Sequence, residues 1–228
     1  MYEVEKLYAF PKISELYDNP NVESANWKIE TFDITWPKDF RAILYDGIPC
    51  GKYVRLLCKK PEKFGMSQSC MMSDTPMECF TNQKFLNTAH GDILIAGLGI
   101  GMLPAALAEK ENVTSITIIE LEQEVIDLVE PLIRKYVKHQ NKIKIVQGDA
   151  NTYPKEQNDK TYDFVYLDIW DYFPGNTEDL PMLEAMITKY KPICPKGKIT
   201  TWGYEFAKTG RNDNPVLTNA YGAYVDNM

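Results

Sequence analysis

The stretch Asp92-Ile-Leu-Ile-Ala-Gly-Leu-Gly-Ile-Gly101 constrains this chain more than any other. Ile93 to Ala96 are apolar and suit a buried strand, and three glycines follow at 97, 99 and 101. Met102 to Lys110 then reads as a helix, with Pro104 in its first turn, where a missing N–H does no harm. A strand that runs through glycines into a helix has the local form of a nucleotide-binding turn. Glycine lets the backbone turn sharply and lets a ligand lie against the main chain. The new helix presents unpaired N–H groups to that ligand. A tight turn that binds nothing would use the same glycines, so the motif alone leaves both readings open.

The next two strand ends narrow the choice. A dinucleotide fingerprint would need its last glycine at Met102, so the spacing departs from the NAD type. Val113 to Ile119 is rich in β-branched residues and ends on Glu120, a little over ~20 residues beyond Gly97, where an acidic residue takes ribose hydroxyls. A carboxylate suits that task because it accepts two hydrogen bonds side by side. Lys142 to Ala150 then closes on Gly-Asp149-Ala150. These three stretches resemble the first motifs of the class I S-adenosylmethionine-dependent methyltransferases and their relatives, the spermidine synthases. The resemblance covers roughly residues 74–204, and Tyr45-Asp46-Gly47 resembles the hairpin before the spermidine synthase core. It implies that Gly97, Leu98, Gly99 and Gly101 lie under S-adenosylmethionine or its decarboxylated form. It further implies that Glu120 grips the ribose with Leu121 beside it, that Asp149 bonds the adenine amino group, and that Ala150 lends a backbone N–H.

From Gly91 onward strand and helix alternate, which predicts a parallel sheet with covered faces. Thr75-Pro-Met-Glu78 reads as a capping box opening a helix from Pro76 to about Thr88. A second helix runs from about Glu122 to His139, kinked at Pro131. Residues 151–160 leave room for one helical turn at most. Tyr162–Asp168 reads as a strand, Asp179–Tyr190 as a helix and Gly197–Trp202 as a fifth strand. Only about 25 residues remain, so the sheet is expected to be shortened, with an irregular tail. Upstream, Trp27–Trp36, Phe40–Tyr45 and Lys52–Cys58 read as strands, with turns at Asp46-Gly47 and Pro49–Gly51. Ser67–Met72 reads as one more strand, and Trp27, Phe32 and Trp36 as core aromatics. The predicted fold class is α/β: a Rossmann-like parallel sheet of the class I methyltransferase type, C-terminally shortened, with a small N-terminal antiparallel β subdomain. Residues 1–72 would form an arm and that subdomain, and residues 73–228 the Rossmann-like domain.

Open α/β sheets bind ligands outside the carboxyl ends of their strands, and Asp168-Ile-Trp-Asp171 falls at that edge. Its Asp-x-x-Asp spacing is similar to that of spermidine synthases. The resemblance implies that Asp168 takes a proton from an attacking amine and that Asp171 helps to hold it. Trp170 and Tyr172 are candidate substrate contacts, since aromatic faces attract ammonium groups. Asp74, just ahead of the glycine strand, is a third candidate, with helix capping as its alternative reading. Two positions depart from the families. Ile95 stands where many methyltransferases have an acid, and Ile100 where spermidine synthases have an aspartate. His90 and His139 sit at a strand start and a helix end, and no Ser/Cys–His arrangement suggests hydrolysis.

The net charge of -7 argues against a nucleic-acid partner held by its phosphates. No apolar run approaches the ~20 residues of a membrane span, and the opening Met-Tyr-Glu-Val-Glu-Lys is not expected to act as a signal peptide. Five scattered cysteines without Cys-x-x-Cys indicate neither a metal site nor a disulfide framework, and point to the cytoplasm. The expected activity is transfer from S-adenosylmethionine, foremost of a methyl group, to a small or amine-bearing acceptor. The alternatives are aminopropyl transfer from the decarboxylated donor, or adenosyl binding without catalysis. No metal is expected, and a homo-oligomer is compatible with this reading.

Overall fold

A computed structural model describes residues 10–44, 48–66, 69–156 and 160–209. The expected Asp46-Gly47 turn, the hairpin resemblance at Tyr45–Gly47, the first two residues of the Ser67–Met72 strand, the start of the N-terminal arm and the tail after 209 lie outside these residues.

The chain opens with a one-turn helix, α1 (Ile13–Leu16). An antiparallel sheet follows, built from β1 (Asn21–Glu23), β2 (Trp27–Ile34), β3 (Gly51–Cys58) and β4 (Cys70–Ser73), paired in that order. β2 and β3 pair along their full length, from Trp27 opposite Cys58 to Ile34 opposite Gly51. Alternation puts Trp27, Ile29, Val54, Leu56 and Cys58 on the buried face.

The run Phe40–Tyr45 is not the expected strand: its described part is a short helix, α2 (Phe40–Leu44). The reason lies just upstream. The Asp39 carboxylate accepts from the Thr35 N–H at 2.8 Å, and the Asp39 carbonyl accepts from the Ile43 N–H at 3.2 Å. That turn starts a helix, and no sheet face claims Phe40, which stays exposed. Trp36 is 60% exposed and is not a core residue.

The second sheet is wholly parallel. In chain order its elements are α3 (Pro76–Thr88), β5 (Gly91–Ala96), α4 (Met102–Ala108), β6 (Val113–Glu120), α5 (Gln123–Tyr136), β7 (Ile143–Gln147), α6 (Tyr153–Glu156), β8 (Phe164–Leu167), α7 (Leu180–Tyr190), β9 (Lys198–Thr201) and α8 (Tyr204–Thr209). The strand order is β7-β6-β5-β8-β9. The chain leaves the central β5 on one side, then returns to add β8 on the other. The strand order therefore reverses beside β5, which opens a crevice at its carboxyl end. Ile93 to Ala96 and Phe164 to Leu167 are buried throughout, as strands covered on both faces must be. This is the Rossmann-like class I methyltransferase-type architecture.

Thr75 stands at the N-cap of α3, yet its side chain makes no capping bond. Its hydroxyl pairs with Ser73 at 2.9 Å instead, so the expected capping box does not form. One hydrophobic core joins the two sheets, bringing Trp27, Val54 and Leu56 together with Ile95, Leu98, Leu103 and Val129. The Glu124 carboxylate on α5 adds a polar clamp by accepting from the Asn26 N–H at 2.9 Å and the Ser24 hydroxyl at 2.5 Å. No helix among the described residues is long and apolar enough to cross a membrane.

Candidate functional site

The glycine turn follows directly from strand packing. The Gly97 N–H donates to the Ile119 carbonyl at 2.8 Å, and the Asp168 N–H to the Ala96 carbonyl at 2.8 Å. These bonds carry the sheet one residue past β5. A Cβ on Gly97 would overlap the Asp168 carbonyl oxygen, and φ there is +99°. Only glycine satisfies both conditions. At Gly99 a Cβ would meet the Met72 thioether. Met72 lies across the turn, and its sulfur accepts from the Ile100 N–H at 3.4 Å.

Above this turn lies a cavity of about 240 Å³. It sits at the carboxyl ends of β5, β6 and β8. The lining includes Gly97, Leu98, Gly99, Glu120, Leu121, Asp149 and Ala150 from the expected donor set. It also includes Asp168, Trp170 and Asp171 from the expected acceptor set. Three candidates are not among the lining residues. Gly101 starts α4, where a Cβ would crowd the Tyr17 hydroxyl at 2.8 Å, so packing explains that glycine. Tyr172 is exposed, and its hydroxyl donates to Asp179 at 3.2 Å. Asp74 is buried away from the cavity. Its carboxylate accepts from the Val54 N–H at 2.6 Å and the Ile13 N–H at 3.1 Å, tying β3 to α1.

Sequence reasoning missed Glu78, Asn82, Tyr166 and Met72, all of which line the cavity. Glu78 and Asn82 are four apart on α3 and both buried, so they share one helix face. Two polar residues recurring at that spacing, on the face that packs against the sheet, are the signal that could have found them.

Buried carboxylates dominate the electrostatics. Glu120 Oε2 accepts from the Leu98 N–H and Oε1 from the Glu122 N–H, each at 2.9 Å. Burial still raises its proton affinity, because those bonds offset only part of the lost hydration. Burial, and then the Glu120 charge, push the Asp168 carboxyl up to about 7 from an ordinary 3.8. Burial, and then Asp168, hold the Glu78 carboxyl well above its usual range. Asp149 Oδ1 accepts from the Asn151 N–H at 2.7 Å, which orders the loop after β7. The cavity's lining residues include no lysine, arginine or histidine among those described. No group of three or more metal-ligating side chains occurs among the described residues.

The spermine/spermidine synthase domain model matches residues 71–201. The chain is similar to a polyamine aminopropyltransferase of Vibrio vulnificus (strain CMCP6), at 26% identity over 138 residues. That alignment covers 59% of this chain and 44% of the relative, so the chain spans less than half of that protein's length. Among solved structures it is similar to PigF with SAH, at 24% identity over 51% of this chain and 34% of that one, with a TM-score of 0.37. It is also similar to a putative caffeoyl-CoA O-methyltransferase from Staphylococcus aureus, at 19% identity over 64% and 69% of the two chains, with a TM-score of 0.39. The match across residues 71–201 takes in more than half of the sequence, and the chain belongs to the spermine/spermidine synthase domain family.

Proposed function

We propose that this protein is a transferase that moves an aminopropyl group from decarboxylated S-adenosylmethionine to an amine acceptor. The carrying observation is the charge of the cavity. Glu78, Glu120, Asp149, Asp168 and Asp171 line it without a basic side chain among the described lining residues. S-adenosylmethionine would bring its own carboxylate into that field. The decarboxylated donor and an amine bring positive charge only. This ranks aminopropyl transfer above methyl transfer, the reverse of the order the motifs suggest. Membership of the family and the curated relative support the same choice.

In this reading Gly97, Leu98 and Gly99 underlie the adenosyl group, and Glu120 takes the ribose hydroxyls with Leu121 alongside. Asp149 and Ala150 address the adenine. Asp171 and Trp170 hold the acceptor, and Asp168 is the base. The amine nitrogen attacks the carbon next to sulfur, and the C–S bond breaks with its electron pair passing to sulfur. The leaving thioether is neutral and needs no acid. The acceptor enters as an ammonium, so its nitrogen attacks only once a proton has passed to Asp168, whose affinity near neutral pH suits it to receive and release one. Alignment of nitrogen, carbon and sulfur supplies the rest. All five cysteines are free thiols, which fits a reducing compartment such as the cytoplasm.

The test is to incubate the full chain with 1,4-diaminobutane and either donor, and to identify products by mass spectrometry. Methylthioadenosine and an aminopropylated diamine are expected from the decarboxylated donor. S-adenosylhomocysteine and a methylated amine would overturn aminopropyl transfer. Tight adenosyl binding with neither product would favour the binding-only alternative.

A further inference from the structure

We propose that Glu78 and Tyr166, with Asp168, form an ammonium-binding subsite on the α3 side of the cavity, and that Glu78 selects for a cationic acceptor. This rests on the amine-acceptor reading above.

Two independent observations carry it. Glu78 is 5% exposed, and no lysine, arginine or histidine among the described residues pairs with it. The Ser73 backbone N–H offsets only the smallest part of the cost of burying it, and Glu78 does not close the capping box. An acidic group taken from water without a cation is expensive, so a fold keeps one where a ligand supplies the missing charge. The second observation is Tyr166. Its side chain is 2% exposed and lines the same cavity, and its hydroxyl has no hydrogen-bond partner. Buried hydroxyls are almost always partnered, so an orphan on a side chain that lines a cavity points to a ligand.

All three groups line the one cavity. Asp168 and Glu78 each raise the proton affinity of the Tyr166 phenol, after burial, and Asp168 does the same to Glu78. An alkylammonium has three N–H donors and no acceptor. Glu78, Asp168 and Tyr166 offer acceptor oxygens from three side chains, one side chain for each N–H. Trp202 walls the same space, its indole N–H engaged by the Thr81 hydroxyl at 2.9 Å, and its ring gives the ammonium a π face.

The experiment is calorimetric titration of the full chain with 1,4-diaminobutane in saturating methylthioadenosine, with 1,4-butanediol as the uncharged control. Wild type is expected to bind the diamine and not the diol. Glu78→Gln keeps the shape and removes the charge. It is expected to weaken diamine binding at least tenfold and to leave methylthioadenosine affinity unchanged. Tyr166→Phe is expected to weaken the diamine about threefold, and it decides the matter if Glu78→Gln does not fold. Diamine affinity within twofold of wild type in the folded variants overturns the subsite and leaves the amine reading standing. Wild-type binding of methylthioadenosine without any diamine overturns both the subsite and the amine reading. Failure to bind either ligand overturns the transferase reading itself.

Discussion

Glu120, at the end of β6, reaches across to β5 and accepts the Leu98 N–H at 2.9 Å. Its other oxygen accepts the Glu122 N–H at the same distance. Two backbone donors therefore hold the carboxylate in one plane, and each oxygen keeps a lone pair for a ligand.

Replacing Glu120 with Gln turns an amide NH₂ toward one of those N–H groups. Methylthioadenosine affinity is expected to fall about 10- to 100-fold, or ~1.4–2.7 kcal/mol. Stability should fall by about 1–3 kcal/mol, because a donor at a partly buried site loses its acceptor. Titration calorimetry and thermal unfolding measure the two effects. Wild-type affinity in this variant would remove Glu120 from the donor site.

Gly97 and Gly99 are expected to behave differently on mutation to Ala. At Gly97 the methyl meets the Asp168 backbone, which cannot retreat without breaking the β5–β8 pairing. A loss of roughly 3 kcal/mol or more, or no folded protein, is expected. At Gly99 it meets the end of a flexible methionine. Gly99→Ala should fold, pay the strain of φ +53°, and bind methylthioadenosine less tightly. Met72→Ala should accept the ligand at least as well as wild type, because the thioether no longer covers the turn. Circular dichroism with ligand titration separates these cases, and equal stability of the two glycine variants would contradict the packing argument.

Asp168 sets a pH dependence. Its folded proton affinity is raised to about 7 from 3.8, so between those values the folded state binds a proton that the unfolded state has lost. Stability contributed by the protonated form is complete below pH 3.8 and falls as pH rises through about 7. The scale is about 1.4 kcal/mol per tenfold change in proton affinity. Asp168→Asn should flatten this slope and melt higher than wild type at pH 8. Transfer should show the opposite trend, rising through pH 7 in wild type as the base ionises, and collapsing in the variant. Thermal melts and initial rates from pH 5 to 9 report both, and a variant that keeps wild-type rates would exclude Asp168 as the base.

Asp74 has a structural role to test. Asp74→Ala strips the acceptor from the Ile13 and Val54 N–H groups, which lie in buried surroundings. A loss of about 2–5 kcal/mol is expected from two unpaired donors. Denaturant unfolding measures it. Below its midpoint the variant should bind methylthioadenosine as wild type does, and a selective loss of diamine binding without destabilisation would return Asp74 to the acceptor site.

Much of the parallel half was legible because its signals are local. Ile93–Ala96 are apolar on every position, which only a strand covered on both faces requires, and Pro76 at the start of α3 marks that helix to the residue. The antiparallel half was harder. Phe40–Leu44 has a strand-like composition, and the turn at Thr35–Asp39 that makes it helical is a side-chain bond, invisible to periodicity. Glu78 was hidden for a related reason: its spacing from Thr75 has an innocent local reading, and only the packed fold brings it to the cavity that Asp168 also lines.

The sequence by itself determined the order of strands and helices in the parallel half, the glycine turn, and the acidic residues that close β6 and β8. Each depends on contacts a few residues long, where backbone preference and hydrophobic period decide the outcome. The tertiary structure decided which carboxylates share a cavity and which are spent on backbone. Asp74 and Glu78 are four residues apart, yet one bonds the Ile13 N–H and the other lines the cavity with Asp168. That division follows from how α3 packs between the two sheets, because burial and the distance between like charges exist only once the chain has closed on itself.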